Sequence, residues 1–523
     1  MTEDLSAVID KNMAAFDKPG VLSVRPGYKV TRDWLTTTRS IVVTVRHKVA
    51  HPVEGEVLPS EVGGIPVDVR QASPAKALEL EDPGKYAAGL RLAPNQGSVP
   101  HFADERTLTG VHPAAVASAH AQLAAVAKPE LTYSGPAGVT LDPVEAQATI
   151  TLSASPDTGW PVLKAFLAGT TQTLTVGLYD FTSAHVLTAV TDSLTGKRLN
   201  LVLDHPGKNP TADQTDPTTV ADLRQALGQD FTQAWALTRT DPDATAWIYP
   251  TAYHIKVAVR DHSVFWLSSG NWNNSNQPDI DPVNIPADAD QARHRDRDWH
   301  VVVEQPRLAG VFEDYISNDL QIAASHNKPP EAAGKPLTPP DLGSTGTPAF
   351  AQFFPATTVS GVIKIAPLLT PDPGVYAGAV KDLIASATQT LYMQFQYIEP
   401  PKAGVTTAQP FLDLISAVID RQRHGVEVKI IMSEFETAGY LEQLQGMGLD
   451  VVSNVKIQKN VHNKGIVVDG TTVLVSSQNW SADGTLWNRD AGVIIYHPDA
   501  AQYFQQVFLH DWAHLAATRA ASD

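Results

Sequence analysis

The chain has 523 residues, 43% of them hydrophobic and 18% charged, which is ordinary globular composition and enough material for two or three domains with sizeable cores. Acids outnumber bases 56 to 39, a formal charge of −17 that disfavours broad electrostatic coating of nucleic acid, and the absence of cysteine excludes disulfides, thiolate metal sites and a cysteine nucleophile. No run approaches the ~18 apolar residues of a membrane span, and the acidic start Met1–Ser6 does not read as a signal peptide, so the cytoplasm is the expected compartment.

In chain order, residues 3–16 read as a helix with Leu5, Val8, Ile9, Met13 and Phe16 on one face. Strands are expected at Val21–Val30, Ser40–Val49 and Ile65–Val69, the second containing the β-branched run Ile41–Val45. Residues 1–80 thus form a small α+β domain without a readable chemical motif. Residues 81–144 read as connection, rich in Ala, Pro and Gly, with a helix at Ala114–Val126. From there strands and helices alternate: Ala148–Ala154, helix Trp160–Gly169, Leu174–Phe181, helix Ala184–Leu194 and Leu199–Leu203. Such alternation predicts a mostly parallel sheet. Residues 326–350 are a Pro/Gly-rich linker, and the pattern then restarts. Strands are expected at Val362–Leu368, Leu391–Ile398 and Val426–Met432, with helices at Val375–Ser386 and Phe411–His424. Ser155-Pro156-Asp157 matches Thr370-Pro371-Asp372, and Thr171-Gln172-Thr173-Leu174 matches Thr388-Gln389-Thr390-Leu391. Residues 145–325 and 351–523 are therefore read as duplicated α/β halves.

Each half carries the same constellation. The first runs His254-Ile255-Lys256 to Asp261, then Ser269 and Asn271; the second runs His462-Asn463-Lys464 to Asp469, then Ser477 and Asn479. Alternation along a strand puts His and Lys on one face, and a following hairpin strand returns Ser and Asn beside them. Imidazole, ammonium, amide and hydroxyl together suit a phosphate: one nitrogen to attack or to move a proton, and donors for the oxygens.

The paired HxKxxxxD motifs, each followed by Ser-x-Asn, resemble the phospholipase D superfamily of phosphodiesterases over roughly residues 145–520. Ser268 and Ser476 stand where that family usually has Gly. The resemblance implies two α/β/α sandwich halves packed as a pseudo-dimer around one site. It implies His254 as nucleophile forming a phosphohistidine and His462 as general acid/base. Lys256, Lys464, Asn271 and Asn479 would stabilise the phosphoryl oxygens, and Ser269 and Ser477 would bind substrate. A repeated Arg-Asp, Arg297-Asp298 and Arg489-Asp490, supplies the acids expected to hold a catalytic imidazole. Asp261 and Asp469, at the far end of the motif strand, are expected to brace it.

No metal or cofactor is expected, because the lysines supply positive charge. His294, Asp296, Asp298 and His300 alternate in a pattern that could hold a metal, but interleaved arginines make a solvated loop leading into a strand the ordinary explanation. Trp266, Trp272, Trp299, Trp480 and Trp487 lie near the motifs, either as a lipid-docking rim or as core. The expected substrate is a phosphodiester, first a phospholipid, hydrolysed or transferred to an alcohol. A nuclease or nucleotide phosphodiesterase is the rival, with Arg293, Arg295 and Arg297 as its nearest basic track. A catalytically inactive phosphate-binding protein is the non-enzymatic alternative.

Overall fold

The structure, a computed structural model, describes residues 4–32, 34–49, 56–86, 99–100, 102–110, 133–205, 207–208, 213–240, 244–249, 252–326, 333–334, 350, 352–401, 408–434 and 438–518. The helix expected at 114–126 and most of the 326–350 linker lie outside the described residues. Asp4 caps the first helix, Leu5–Lys11, by accepting from the Ser6 amide at 3.1 Å. That helix is shorter than its apolar pattern, because Met13–Ala15 tightens into a 3₁₀ turn. The β-branched run lies in Trp34–Val45, which pairs antiparallel with Val21–Thr31 in a five-stranded sheet. Ile9 and Phe16 pack on Val24, Ile41 and Val43 as this unit's own core. Trp34 and Leu35 instead join Leu441 and Leu444 in a core of the second half. Beside them Glu442 takes Arg25 at 2.6 Å and Arg70 at 3.1 Å.

The rest is built on one fourteen-stranded sheet with pseudo-twofold order. Outward from the seam, the first half contributes Val144–Ser155, Asp298–Glu304, Val264–Ser268, Lys256–Arg260, Thr173–Leu178, Arg198–Leu203 and Phe231–Trp235. The second contributes Thr357–Thr370, Asp490–Tyr496, Thr472–Ser476, Lys464–Val468, Thr390–Phe395, Glu427–Ser433 and Val455–Gln458 in the same sequence. The halves join where Val144–Leu152 runs antiparallel to Thr357–Ile365. Two long helices, Pro306–Ala324 and Pro498–His514, share one core on a single face; Leu308, Phe312 and Ile316 of the first cluster with Phe504, Val507 and Phe508 of the second. On the other face each half has its own helices and its own core.

The sheet is not mostly parallel. Only the outer three strands of each half, those linked through helices, pair in parallel. The motif strands are joined by tight turns, which force antiparallel pairing. Helix alternation is thus a sound signal for the flanks of this sheet and a misleading one for its centre. Among the described residues no helix is long and apolar enough to cross a membrane.

Candidate active site

Each motif hairpin is anchored at its outer end. The turn after Lys256–Arg260 passes through Asp261 and His262 at φ 49° and 57°, and the equivalent turn through Asp469 and Gly470 at 50° and 62°. The Asp261 carboxylate accepts from the amides of Thr171, Gln172 and Thr173 at 2.8, 2.7 and 3.0 Å. Asp469 does the same for Thr388, Gln389 and Thr390 at 2.8, 2.8 and 2.7 Å. The repeated Thr-Gln-Thr-Leu is therefore the loop that the motif acid grips. Burial raises both carboxyl pKa values, but the backbone donors outweigh it and hold both below the ordinary range. Asp261→Ala should cost about 1–2 kcal/mol in urea unfolding, with the activity of the folded fraction kept.

The inner ends carry the chemistry. His254 and His462 do not lie in the motif strands, which begin at Lys256 and Lys464. Their backbone is committed to the other half instead. The His254 amide donates to Arg489 O at 2.7 Å, and Arg489 N donates to Ala252 O at 2.9 Å. Reciprocally, the His462 amide donates to Arg297 O at 3.1 Å, and Arg297 N to Asn460 O at 2.7 Å. Side chains cross in the same sense. His254 Nδ1 meets Asp490 at 2.8 Å and His462 Nδ1 meets Asp298 at 3.1 Å. Each imidazole is oriented by the acid of the opposite half, which fixes its proton on Nδ1 and leaves Nε2 with a lone pair.

This crossing brings six of the eight catalytic candidates together: the two histidines, the two acids and the two lysines. Lys256 and Lys464 are fully buried and donate to the carbonyls of His254 and His462. Lys464 Nζ also sits 3.1 Å from both ring nitrogens of His462. Burial, then Lys256, lowers the His254 pKa to about 4; burial, then Lys464, lowers His462 to about 3. Burial also lowers Lys464 to about 8 and holds Lys256 well below its usual value. Burial alone would raise Asp298, but His462 and Lys464 prevail and hold it at about 2. Asn271 and Asn479 each have a buried side-chain oxygen without a hydrogen-bond partner among the described residues. The resting site at neutral pH therefore holds neutral imidazoles beside a cationic Lys464, an arrangement able to attract an anion, attack it and move protons.

Ser269 and Ser477 sit beneath the acids. Their hydroxyls donate to Asp298 at 2.6 Å and Asp490 at 2.5 Å, and accept from the amides of Trp299 and Ala491 at 3.1 and 3.0 Å. Ser268 and Ser476, the family departures, bond His300 Nδ1 at 2.7 Å and Lys464 O at 2.8 Å. His300 is fully buried, and its other nitrogen meets Ser155 at 2.8 Å, so it does not converge with His294 and Asp296. Trp266, Trp272, Trp299 and Trp480 are core residues rather than a rim, and Trp487 is half-buried.

Two features escaped sequence reasoning. Tyr179 stands edge-on to His254 at 5.0 Å and lies 5.4 Å from Lys256 Nζ. The Thr-Gln-Thr match would have aligned it with Gln396, marking it as a difference between the halves. Arg297 is no basic track: it is fully buried, bonding Asp157 at 2.8 Å and Asp511 at 2.8 Å. Its counterpart Arg489 bonds Asp319 at 3.0 Å and Asp372 at 3.3 Å. The spacing from Arg297 to Asp319 recurs from Arg489 to Asp511 and was the available signal.

Residues 380–512 match the family model described as "Cardiolipin synthase, PLD-like domain". A mitochondrial cardiolipin hydrolase of Danio rerio is 24% identical over 104 residues, 19% of this chain and 46% of that protein, so the chain spans about half the length of the curated relative it matches. Among solved structures, a phosphatidylserine synthase of Haemophilus influenzae Rd KW20 is 13% identical, covering 70% of this chain and 87% of that one with a TM-score of 0.45. The phospholipase D family member Nuc of Salmonella typhimurium is 22% identical, covering 29% and 97% with a TM-score of 0.24.

Proposed function

Because this chain belongs to the phospholipase D superfamily, we propose that it is a phosphodiesterase that cleaves or transfers a phospholipid phosphodiester through a phosphohistidine. The observation that carries the reading is the reciprocal pairing of His254 with Asp490 and His462 with Asp298. His254 Nε2 attacks phosphorus while the bond to the leaving alkoxide breaks, and His462 gives that alkoxide its proton. Water or an alcohol then loses a proton to His462 and attacks phosphorus, and the P–N bond breaks with its electron pair returning to Nε2. His254 suits the nucleophile because its ring is tied only through Nδ1, whereas the His462 ring shares Lys464. Lys256, Lys464, Asn271 and Asn479 offer donors to the phosphoryl oxygens, and the lysines provide the charge that a metal would otherwise bring. Ser269 and Ser477 act through the acids as positioning residues. Asp261 and Asp469 brace the hairpins from outside.

A phospholipid is favoured over nucleic acid on three grounds. The matching family model is described for cardiolipin synthase, the curated relative is named a cardiolipin hydrolase, and the charge of −17 opposes a polyanion. Phosphatidyl transfer and hydrolysis differ only in the second acceptor. Release of head group from phospholipid vesicles, compared with nicking of plasmid DNA in EDTA, tests the substrate and the metal independence together. Faster nicking of DNA would reverse the substrate assignment.

The resting ionisation also sets a pH dependence. The first step needs His254 neutral and His462 protonated, yet at neutral pH both rings are neutral. The productive state holds one proton more than the resting state. Hence kcat/KM should rise as pH falls from about 8, where Lys464 begins to lose its charge, toward about 4, where His254 gains one. A pH–rate profile with an alkaline optimum would contradict this ordering.

A further inference from the structure

His300 is fully buried and takes no part in the chemistry above. Its ring stacks on Trp266 at 6.0 Å, and Gly159 makes room for it, since a Cβ there would stand 2.7 Å from Nε2. Burial lowers its pKa to about 4, so at neutral pH the ring has one proton to place. The surrounding bonds fix which nitrogen carries it. Ser155 Oγ donates its only proton to Asn276 O at 2.6 Å, so toward His300 Nε2, 2.8 Å away, it accepts. Nε2 therefore holds the proton, and the bare Nδ1 accepts from Ser268 Oγ at 2.7 Å. Ser268 Oγ in turn accepts from the Gly270 amide at 2.7 Å. At the other end, Asn276 Oδ1 accepts from the Asn271 amide at 2.9 Å, its orientation set by donation from Nδ2 to Asp296 at 2.7 Å. One directed network thus grips the turn 268–271 from both sides.

In the second half both key positions are glycine. In strand register Ser268 faces His300, whereas Ser476 faces Gly492. Counted from Trp272 and Trp480, Asn276 corresponds to Gly484. A Cβ at Gly492 would stand 2.7 Å from Ser476 Cβ, and one at Gly484 2.3 Å from Asn479 O, so neither position has room for a side chain. The gripped turn serves one histidine. Ser269 donates to Asp298, the acid that holds His462, and Ser269 O lies 3.5 Å from Lys464 Nζ. A Cβ on Gly270 would stand 2.6 Å from Asp298 Oδ2, so the backbone of the turn lies directly on that carboxylate. We infer that His300 is a positioning residue for proton transfer: as the Nε2–H tautomer it fixes the 268–271 turn against Asp298 and so keeps His462 aimed at the leaving oxygen. The role rests on the reading of His462 as general acid. Ser268, which stands where the family usually has Gly, is the link between His300 and the turn.

Ser268→Ala and His300→Ala are compared with the wild-type chain on phosphatidylglycerol and on phosphatidyl-p-nitrophenol in matched detergent micelles, the first turnover being read by rapid quench. The glycerol alkoxide needs a proton from His462 and p-nitrophenolate does not. The first-turnover rate on phosphatidylglycerol should therefore fall about tenfold, while that on the nitrophenyl lipid stays within about twofold. An equal loss on both lipids, or none on either, overturns the role. Ser268→Ala removes a single oxygen, so it carries the test if His300→Ala does not fold. Independently of activity, nitrogen-15 NMR of the histidine-labelled chain at pH 7 should show an Nε2–H tautomer for the ring whose signal Ser268→Ala perturbs. An Nδ1–H tautomer there overturns the network. His462→Ala, run beside them, should show the same selective loss on the glycerol ester. If it slows both lipids alike, or the wild type cleaves neither, the catalytic reading fails, while the tautomer still decides the network.

Discussion

His254→Ala lowers kcat by at least about 10⁴-fold on any phosphodiester that the wild type cleaves, a loss typical of deleting a nucleophile. The expectation follows from the site's division of labour. Only an imidazole nitrogen is placed to attack, since both lysine Nζ atoms are held by the carbonyls of His254 and His462 and the Ser269 and Ser477 hydroxyls are committed to carboxylates. His462→Ala should cost as much on a lipid, whose alkoxide leaving group needs a proton. On bis(p-nitrophenyl) phosphate it should cost less in the first step, because p-nitrophenolate leaves unassisted. Neither variant should unfold the chain, as both histidines lie outside the regular strands, which begin at Lys256 and Lys464. Circular dichroism and a melting temperature within a few degrees of wild type check that part. Full activity in either purified variant would remove that histidine from the mechanism.

Arg489→Ala is expected to destabilise the chain by about 3–5 kcal/mol, the cost of stranding a buried carboxylate. Arg489 is wholly buried; it bonds Asp319 at 3.0 Å, Thr370 O at 2.9 Å and Asp372 at 3.3 Å, and stacks at 4.6 Å on Tyr249. It also bonds the Tyr133 hydroxyl, while Tyr249 bonds Asp319. Burial pushes the Asp319 pKa up, and Arg489 opposes that rise. Without the guanidinium the carboxyl stays protonated to higher pH in the folded state. A group whose folded pKa exceeds its unfolded value loses stability as pH rises, so the defect should be larger at pH 8 than at pH 4. Urea unfolding at both pH values checks it. Because the next residue, Asp490, orients His254, a shift of this segment should cost the folded fraction activity as well.

Much of this was legible because duplication writes each instruction twice. The Thr-Gln-Thr-Leu repeat and the motif acids proved to be partners in one bracing loop. The His, Lys and Arg-Asp repeats meet at one place. The crossing between halves was not legible: a spacing within a chain segment says nothing of which half's acid reaches which histidine. The strand pattern misled for a local reason. Period-two alternation in His254-Ile255-Lys256 is the same whether backbone partners come from a neighbouring strand or from the opposite half. The four core tryptophans were ambiguous for another reason. Trp266 and Trp299 lie within strands and Trp272 and Trp480 in the segments that follow motif strands, and composition alone does not separate a rim from the layer beneath it. Arg297 reads as a surface cation beside Arg293 and Arg295, and only tertiary contacts with Asp157 and Asp511 bury it.

The reciprocal histidine site is tested most directly by rapid mixing of the His462→Ala variant with bis(p-nitrophenyl) phosphate, followed by alkaline quench and peptide mass analysis. The account predicts a burst of about one p-nitrophenolate per chain, then a stall, with the phosphoryl ester adduct on His254 and no burst in His254→Ala. Absence of a burst, or an adduct on any other residue, would contradict it.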